Sequence, residues 1–283
     1  MTPLPIAGRL MAVLAAVVLT VAGCSDDEPS LRTDNASPTT AGAGGEPGEQ
    51  LETVQPGKLT ACTDVPYAPF EFEANGQLDG IDIELVRAVA GRLGLVADFK
   101  DVDFDGIFTA LNAGQCDLVA SSVSITDERK ETLDFSEGYF EINQSLLVRK
   151  ADEGKYKDLE SLRGRTIGVQ SETTGADFAR ENANGATIRE FTGADELFTA
   201  LKAGQVDAVL QDLPVNAHHA RTTGETVVTK TFTEGEKEEY GFAMRKGRAD
   251  LKKAIDDALQ QVKSDDTYPT ILRRFLGDTA GQV

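Results

Sequence analysis

Residues 108–119 (FTALNAGQCDLV) and 198–209 (FTALKAGQVDAV) match at nine of twelve positions. A repeat of this quality requires the chain to build one local unit twice. Each copy reads as the closing turns of a helix, a glycine that stops it, and a strand. The flanking sequence extends both units in the same way. A buried strand is expected at 59–63, and Ile81, Leu85, Val89 and Leu93 fall on one helical face that Gly94 ends. A strand at 95–100 follows. Phe104, Ile107, Phe108 and Leu111 then mark a helix stopped by Gly114, and 117–120 reads as the next strand. The second unit repeats the alternation with strands at 166–169, 188–191 and 208–211 and helices at 175–181 and 195–203. Two βαβαβ series predict an α/β protein of two lobes, each a mostly parallel sheet flanked by helices. Strand ends that face each other across two lobes make a cleft, the usual place for a ligand in such folds.

The charge balance narrows the ligand classes. With 28 basic and 47 acidic side chains the formal charge is −19, and a nucleic-acid partner, which needs a basic face, is excluded. The first residues are a targeting segment rather than fold. Arg9 precedes an apolar run too short to span a bilayer as a stable helix. That run ends in Val21, Ala22, Gly23 and Cys24, which resembles a bacterial lipobox. The resemblance implies a signal peptide at 1–23, a lipid on Cys24, and attachment to the extracytoplasmic face of the cell membrane. Residues 24–56, rich in Thr, Ala, Gly, Pro and Glu without periodicity, read as a disordered tether. In an exported chain Cys62 and Cys116 either pair as a disulfide or sit as two small buried residues on neighbouring strands.

Ten motifs, in order along the chain, carry a wider resemblance. They are CTDVPYAPFEF at 62–72, GIDIEL at 80–85, VDFDG at 102–106, SSVSITDERK at 121–130, LDFS at 133–136, LRG at 162–164, TIGVQS at 166–171, DAVLQD at 207–212, YGFA at 240–243 and the stretch 267–275. Together they resemble the family 3 solute-binding proteins of ABC uptake systems. The resemblance implies the two-lobed, type II periplasmic-binding fold. Lobe one would hold 57–143 and 239–277, lobe two 144–238, with a tail at 278–283. Two crossings, near 139–143 and 239–242, would form the hinge.

The resemblance also assigns roles to residues. Arg129 would grip the α-carboxylate of an amino acid, since a planar guanidinium matches a carboxylate with two parallel hydrogen bonds. Without the resemblance it reads as a surface arginine on a charged turn. Asp212 would take the α-ammonium, or cap the helix that follows it. Ser122, Ser124 and the backbone at Thr174 match hydrogen-bonding positions, and Ser121 a cleft-lining one. Tyr67 and Phe104 match aromatic walls, although Phe104 also lies on an apolar helix face. Asp64 matches an acid that meets the distal end of the ligand, and Gln170 stands where glutamine binders can carry lysine. Glu172 either adds an acid to its loop or faces water. The implied ligand is a polar, basic amino acid (arginine, lysine, ornithine or histidine), with glutamine next. The implied partners are that free amino acid, the membrane subunits of an ABC permease, and the membrane through the lipid, for a monomer with no cofactor and no enzymatic activity. A secreted dehydratase acting on prephenate-like acids shares the fold and would need a general acid, for which Glu172 is the one cleft-loop candidate. A sensory module is a further alternative. His218 and His219, adjacent on a helix after Pro214, have no third ligand placed by any motif and read as a surface helix rather than a metal site.

Overall fold

A computed structural model of the chain describes residues 51–233 and 237–277. The signal peptide, Cys24, the tether up to residue 50 and the tail from 278 lie outside them.

The first unit opens with β1 (Lys58–Thr63), the hairpin β2 (Phe72–Ala74) and β3 (Gln77–Asp79), and α1 (Ile81–Arg92). It continues through β4 (Val96–Asp101), α2 (Phe104–Asn112), β5 (Leu118–Val119), the short α3 (Asp127–Thr132) and β6 (Leu133–Phe135). The chain crosses on β7 (Phe140–Ile142) into β8 (Gln144–Arg149), β9 (Thr166–Gln170), α4 (Thr174–Asn182), β10 (Thr187–Phe191) and α5 (Ala194–Lys202). After β11 (Ala208–Asp212), α6 (Leu213–Thr223) and β12 (Thr226–Phe232) it returns on β13 (Glu238–Tyr240) to β14 (Ala243–Arg245), α7 (Ala249–Ser264) and α8 (Thr267–Leu276).

Two five-stranded sheets result, ordered β4-β1-β5-β14-β6 and β10-β9-β11-β8-β12. In each, one strand runs against its neighbours, β14 in the first and β8 in the second. Both reversed strands are the ones entered from a crossing. The crossings themselves, β7 and β13, pair antiparallel with Glu239 opposite Glu141. Parallel strands need helical crossovers, and the apolar faces of those helices bury against the sheets. Leu85, Val86 and Val89 of α1 thus join Leu259 and Val262 of α7 in the first core, while Leu197 and Leu201 of α5 meet Leu147 and Val209 in the second.

The sequence repeat has a structural counterpart. Asp117 accepts the amide of Thr60 on β1 at 2.8 Å, and Asp207 accepts the amide of Thr166 on β9 at 3.0 Å. Near the end of each repeat an aspartate therefore ties the strand that follows the helix to its parallel neighbour, β1 in the first sheet and β9 in the second. Beside Asp117, Cys62 and Cys116 are joined by a disulfide across 54 residues.

One boundary differs from the sequence reading. Residues 51–56, expected in the tether, dock on the first unit. Leu51 packs on its core, the Val54 amide meets Asp117 Oδ1 at 2.7 Å, and Arg248 donates to the Glu52 carbonyl at 2.6 Å. Gln55 Nε2 also donates to Asp98 at 3.1 Å. Composition alone hides this, because most of the contacts are made by backbone groups, one leucine and one amide.

Candidate functional site

The strand ends of both sheets meet around a small, tightly closed cavity lined by Asp64, Tyr67, Phe104, Ser121, Ser122, Ser124, Arg129, Gln170, Thr173, Thr174 and Asp212. Every ligand-binding residue expected from the sequence lines this one space. Thr173 joins them.

Arg129 projects from α3, whose first turn is capped by the Thr126 hydroxyl. Its guanidinium donates to the Ser124 carbonyl and, across the cleft, to the Glu172 carbonyl, both at 2.9 Å. The rings of Phe104 and Phe108 lie 5.7 and 5.4 Å from its Cζ, within cation–π reach. No carboxylate lies within ion-pairing distance of it among the described residues. Burial pulls its pKa down, opposed by the charges of Glu238, Asp177 and Asp212. A desolvated guanidinium without a carboxylate is a receptor for one.

Asp212 ends β11 at the N-cap position of α6, yet its carboxylate makes no cap bond. It accepts instead from Tyr67 at 2.7 Å, Tyr240 at 2.5 Å and Gln144 Nε2 at 2.6 Å. Tyr67 belongs to the first lobe and Tyr240 to a crossing strand, so one acid joins both lobes and the hinge. Burial and the neighbouring Glu238 charge raise its pKa to about 6. Asp64, at the opposite end, accepts from Gln170 Nε2 at 2.7 Å, another contact between lobes. Burial, together with the charges of Asp103 and Asp101, raises it to about 7. Among the lining residues Arg129 is the sole base.

Ser121 accepts the Asp64 amide at 3.0 Å, and Ser122 adopts a left-handed φ of 50°. The buried Ser122 hydroxyl has no protein partner. Ser124 and Thr174 hydroxyls approach across the cleft at 3.5 Å.

A model of the bacterial extracellular solute-binding proteins, family 3, matches residues 59–278. The chain belongs to that family. It is 34% identical over 219 residues to the ABC transporter glutamine-binding protein GlnH of Bacillus subtilis, covering 76% of this chain and 78% of that one. Among solved structures, an ancestral arginine-binding protein bound to glutamine is 37% identical with a TM-score of 0.74, over 79% of this chain and 100% of that one. The ancestral amino acid-binding protein AncCDT-1, a precursor of cyclohexadienyl dehydratase, is also 37% identical, with a TM-score of 0.71 over 77% and 95%.

Against the family's motifs, sequence reasoning missed the supporting residues. Thr173 caps α4 by accepting the Ala176 amide at 3.1 Å, and a Thr ahead of a short helical run was the available signal. Gln144 and Tyr240 were invisible as partners of Asp212 because they lie 68 and 28 residues from it in sequence. Glu172 meets Arg129 through its carbonyl while its side chain is exposed. His219 is packed, stacking on Phe198 with ring centroids 4.0 Å apart and sharing a hydrogen bond with Thr226 at 3.0 Å.

Proposed function

We propose that this solute-binding protein captures a basic amino acid between its lobes and presents it to an ABC permease from a lipid anchor at Cys24. Lobe one (57–143 and 239–277) takes the ligand first, and lobe two (144–238) closes over it about the paired crossings. The observation that carries the ligand class is the charge inventory of the cavity. Arg129 suits the α-carboxylate and Asp212 the α-ammonium, which leaves Asp64 as an acid at the far end. A ligand side chain that is positive there would be paired, whereas an acidic one would meet the Asp64 carboxylate and no cation. The likeness to an ancestral arginine-binding protein, solved with arginine and with glutamine, is consistent with this class and with the glutamine alternative.

Asp64 also supplies the reason to consider glutamine. With its pKa near 7, the carboxyl is neutral in mildly acid solution and suits an uncharged amide. It is ionised in alkaline solution and suits a cation. The preference for L-arginine over L-glutamine is therefore expected to rise with pH, by as much as tenfold per unit below about pH 7, where arginine binding must expel a proton. Titration calorimetry of both ligands across that range reads the ratio, and cancels the shared contribution of Asp212. A flat ratio would remove Asp64 from the specificity site.

The function itself is tested by thermal unfolding in the presence of arginine, lysine, ornithine, histidine, glutamine and prephenate. A ligand at a thousandfold excess over its Kd stabilises the fold by about 4 kcal/mol. A response to the basic amino acids supports the proposal. A response to prephenate alone would turn it toward the dehydratase, and silence across the panel would overturn it.

A further inference from the structure

Beneath the cavity floor two acids are fully buried, Glu71 between the Tyr67 turn and β2, and Asp82 in the first turn of α1. The backbone holds them together. The Asp82 amide donates to the Phe70 carbonyl at 3.0 Å, and Gly80 packs so closely that a Cβ there would lie 2.0 Å from the Phe70 oxygen. Both acids grip the same turn above them. Glu71 Oε1 accepts from the Ser121 hydroxyl at 2.8 Å, and Asp82 Oδ2 accepts the Ser122 amide at 2.7 Å. Asp82 Oδ2 also accepts from Tyr139, at the start of the first crossing, at 2.7 Å.

The other oxygen of each acid, Glu71 Oε2 and Asp82 Oδ1, is buried with no partner. Two ionised carboxylates in this position would be an unpaired double charge in the protein interior, which is strongly unfavourable. The groups that face them offer no cation. Glu71 meets Asp82 from α1, Asp64 from the end of β1, and the tyrosines 67 and 139; Asp82 meets Glu71, Tyr139 and Tyr268 of α8. One proton shared between the two acids would satisfy both orphaned oxygens at once.

We infer that Glu71 and Asp82 share a single proton, Glu71 Oε2 donating it to Asp82 Oδ1, and that this carboxyl pair positions the Ser121 and Ser122 turn of the ligand cleft. Glu71 carries the proton because Asp82 already accepts two hydrogen bonds, which favour its ionised form. Burial and the Asp82 charge push Glu71 upward in the same sense. The pair grips the turn in which Ser122 adopts its left-handed conformation, next to Ser121 in the cavity wall. Through Tyr139 it also touches the hinge. The inference rests on the proposed function only in treating this turn as ligand-facing.

Infrared spectra of the intact protein at about pH 8, above the Asp64 and Asp212 transitions, test the proton directly. The carbonyl band of a protonated carboxyl is expected in the wild type and in Asp64→Asn, and its loss is expected in Glu71→Gln. The pH profile of urea unfolding is the second readout. A carboxyl protonated only in the fold makes the native state bind more protons than the unfolded chain, so wild-type stability should fall as pH rises from about 7 to 9. Glu71→Gln, whose amide donates in place of the proton, should flatten that fall, and a merely structural role would leave the slope unmoved. Absence of the band in the wild type would overturn the inference, as would a band or slope unchanged in Glu71→Gln. Should that variant not fold, the wild-type band and its retention in Asp64→Asn decide. Both readouts are taken without ligand, so they test the shared proton whatever the cleft binds.

Discussion

Arg129→Ala is expected to abolish amino-acid binding while leaving the protein folded. The guanidinium sits on a six-residue helix with no buried residue of its own, so its removal opens no core cavity. The ligand carboxylate, however, would enter a closed cleft with no cation to meet it. Leaving one partner of a buried ion pair unmatched costs about 3–5 kcal/mol, an affinity loss of roughly two to four orders of magnitude. Calorimetry against L-arginine measures the loss, and unfolding in urea confirms that the fold survives. Arg129→Lys should recover only part of the affinity. An ammonium cannot form the two parallel bonds, nor does it stack as well on Phe104 and Phe108. Near-normal binding by the alanine variant would withdraw Arg129 from the carboxylate site.

Asp212→Asn should separate binding from stability. The ligand ammonium loses its counter-charge, and affinity should fall by an amount similar to the Arg129 variant. The fold should respond in the opposite direction. Asp212 is fully desolvated and titrates near 6 rather than 3.8, so the native state binds more protons than the unfolded chain between those values. Stability drawn from this group is present below about pH 4 and is lost as pH rises through 6. At neutral pH the ionised carboxylate therefore costs the ligand-free protein about 3 kcal/mol, taking each pKa unit as 1.36 kcal/mol. A neutral asparagine keeps an acceptor for Tyr67 and Tyr240 and removes most of that cost. The variant should unfold at higher urea concentration than the wild type near pH 7 and show no advantage near pH 4. A destabilised variant at neutral pH would mean that the three hydrogen bonds to Asp212 outweigh its desolvation.

The repeat that contains Asp117 and Asp207 made two equivalent lobes legible, since it names the helix, its stop and the strand in both copies. The motifs located the cavity-lining side chains because each belongs to a short contiguous signature. What stayed hidden is the layer behind them. Glu71 and Asp82 read as parts of motifs, and nothing in their spacing says that both turn inward under Ser121 and Ser122. Their pairing depends on the close approach of Gly80 to Phe70, a tertiary contact. Gln144, Tyr139 and Tyr240 were likewise read only as crossing residues or their neighbours. Their polar ends gain a role when the crossings pair and bring distant segments together. The docking of residues 51–56 escaped for a different reason, since backbone hydrogen bonds and two isolated side chains, Leu51 and Gln55, leave little imprint on composition.

The tyrosines give the cleft a consequence of another kind. The chain has no tryptophan and five tyrosines, so its near-ultraviolet emission comes from tyrosine alone. Tyr67 and Tyr240 donate to Asp212, and Tyr139 donates to Asp82. A phenol hydrogen-bonded to a carboxylate emits weakly, because the excited ring gives up its proton readily. Opening the lobes would separate Tyr67 from Asp212, and an arriving ammonium would compete for the same carboxylate. The molecule thus carries its own optical reporter, placed by the fold on the acid where the lobes and the hinge converge, and stopped-flow fluorescence could follow closure without any attached label.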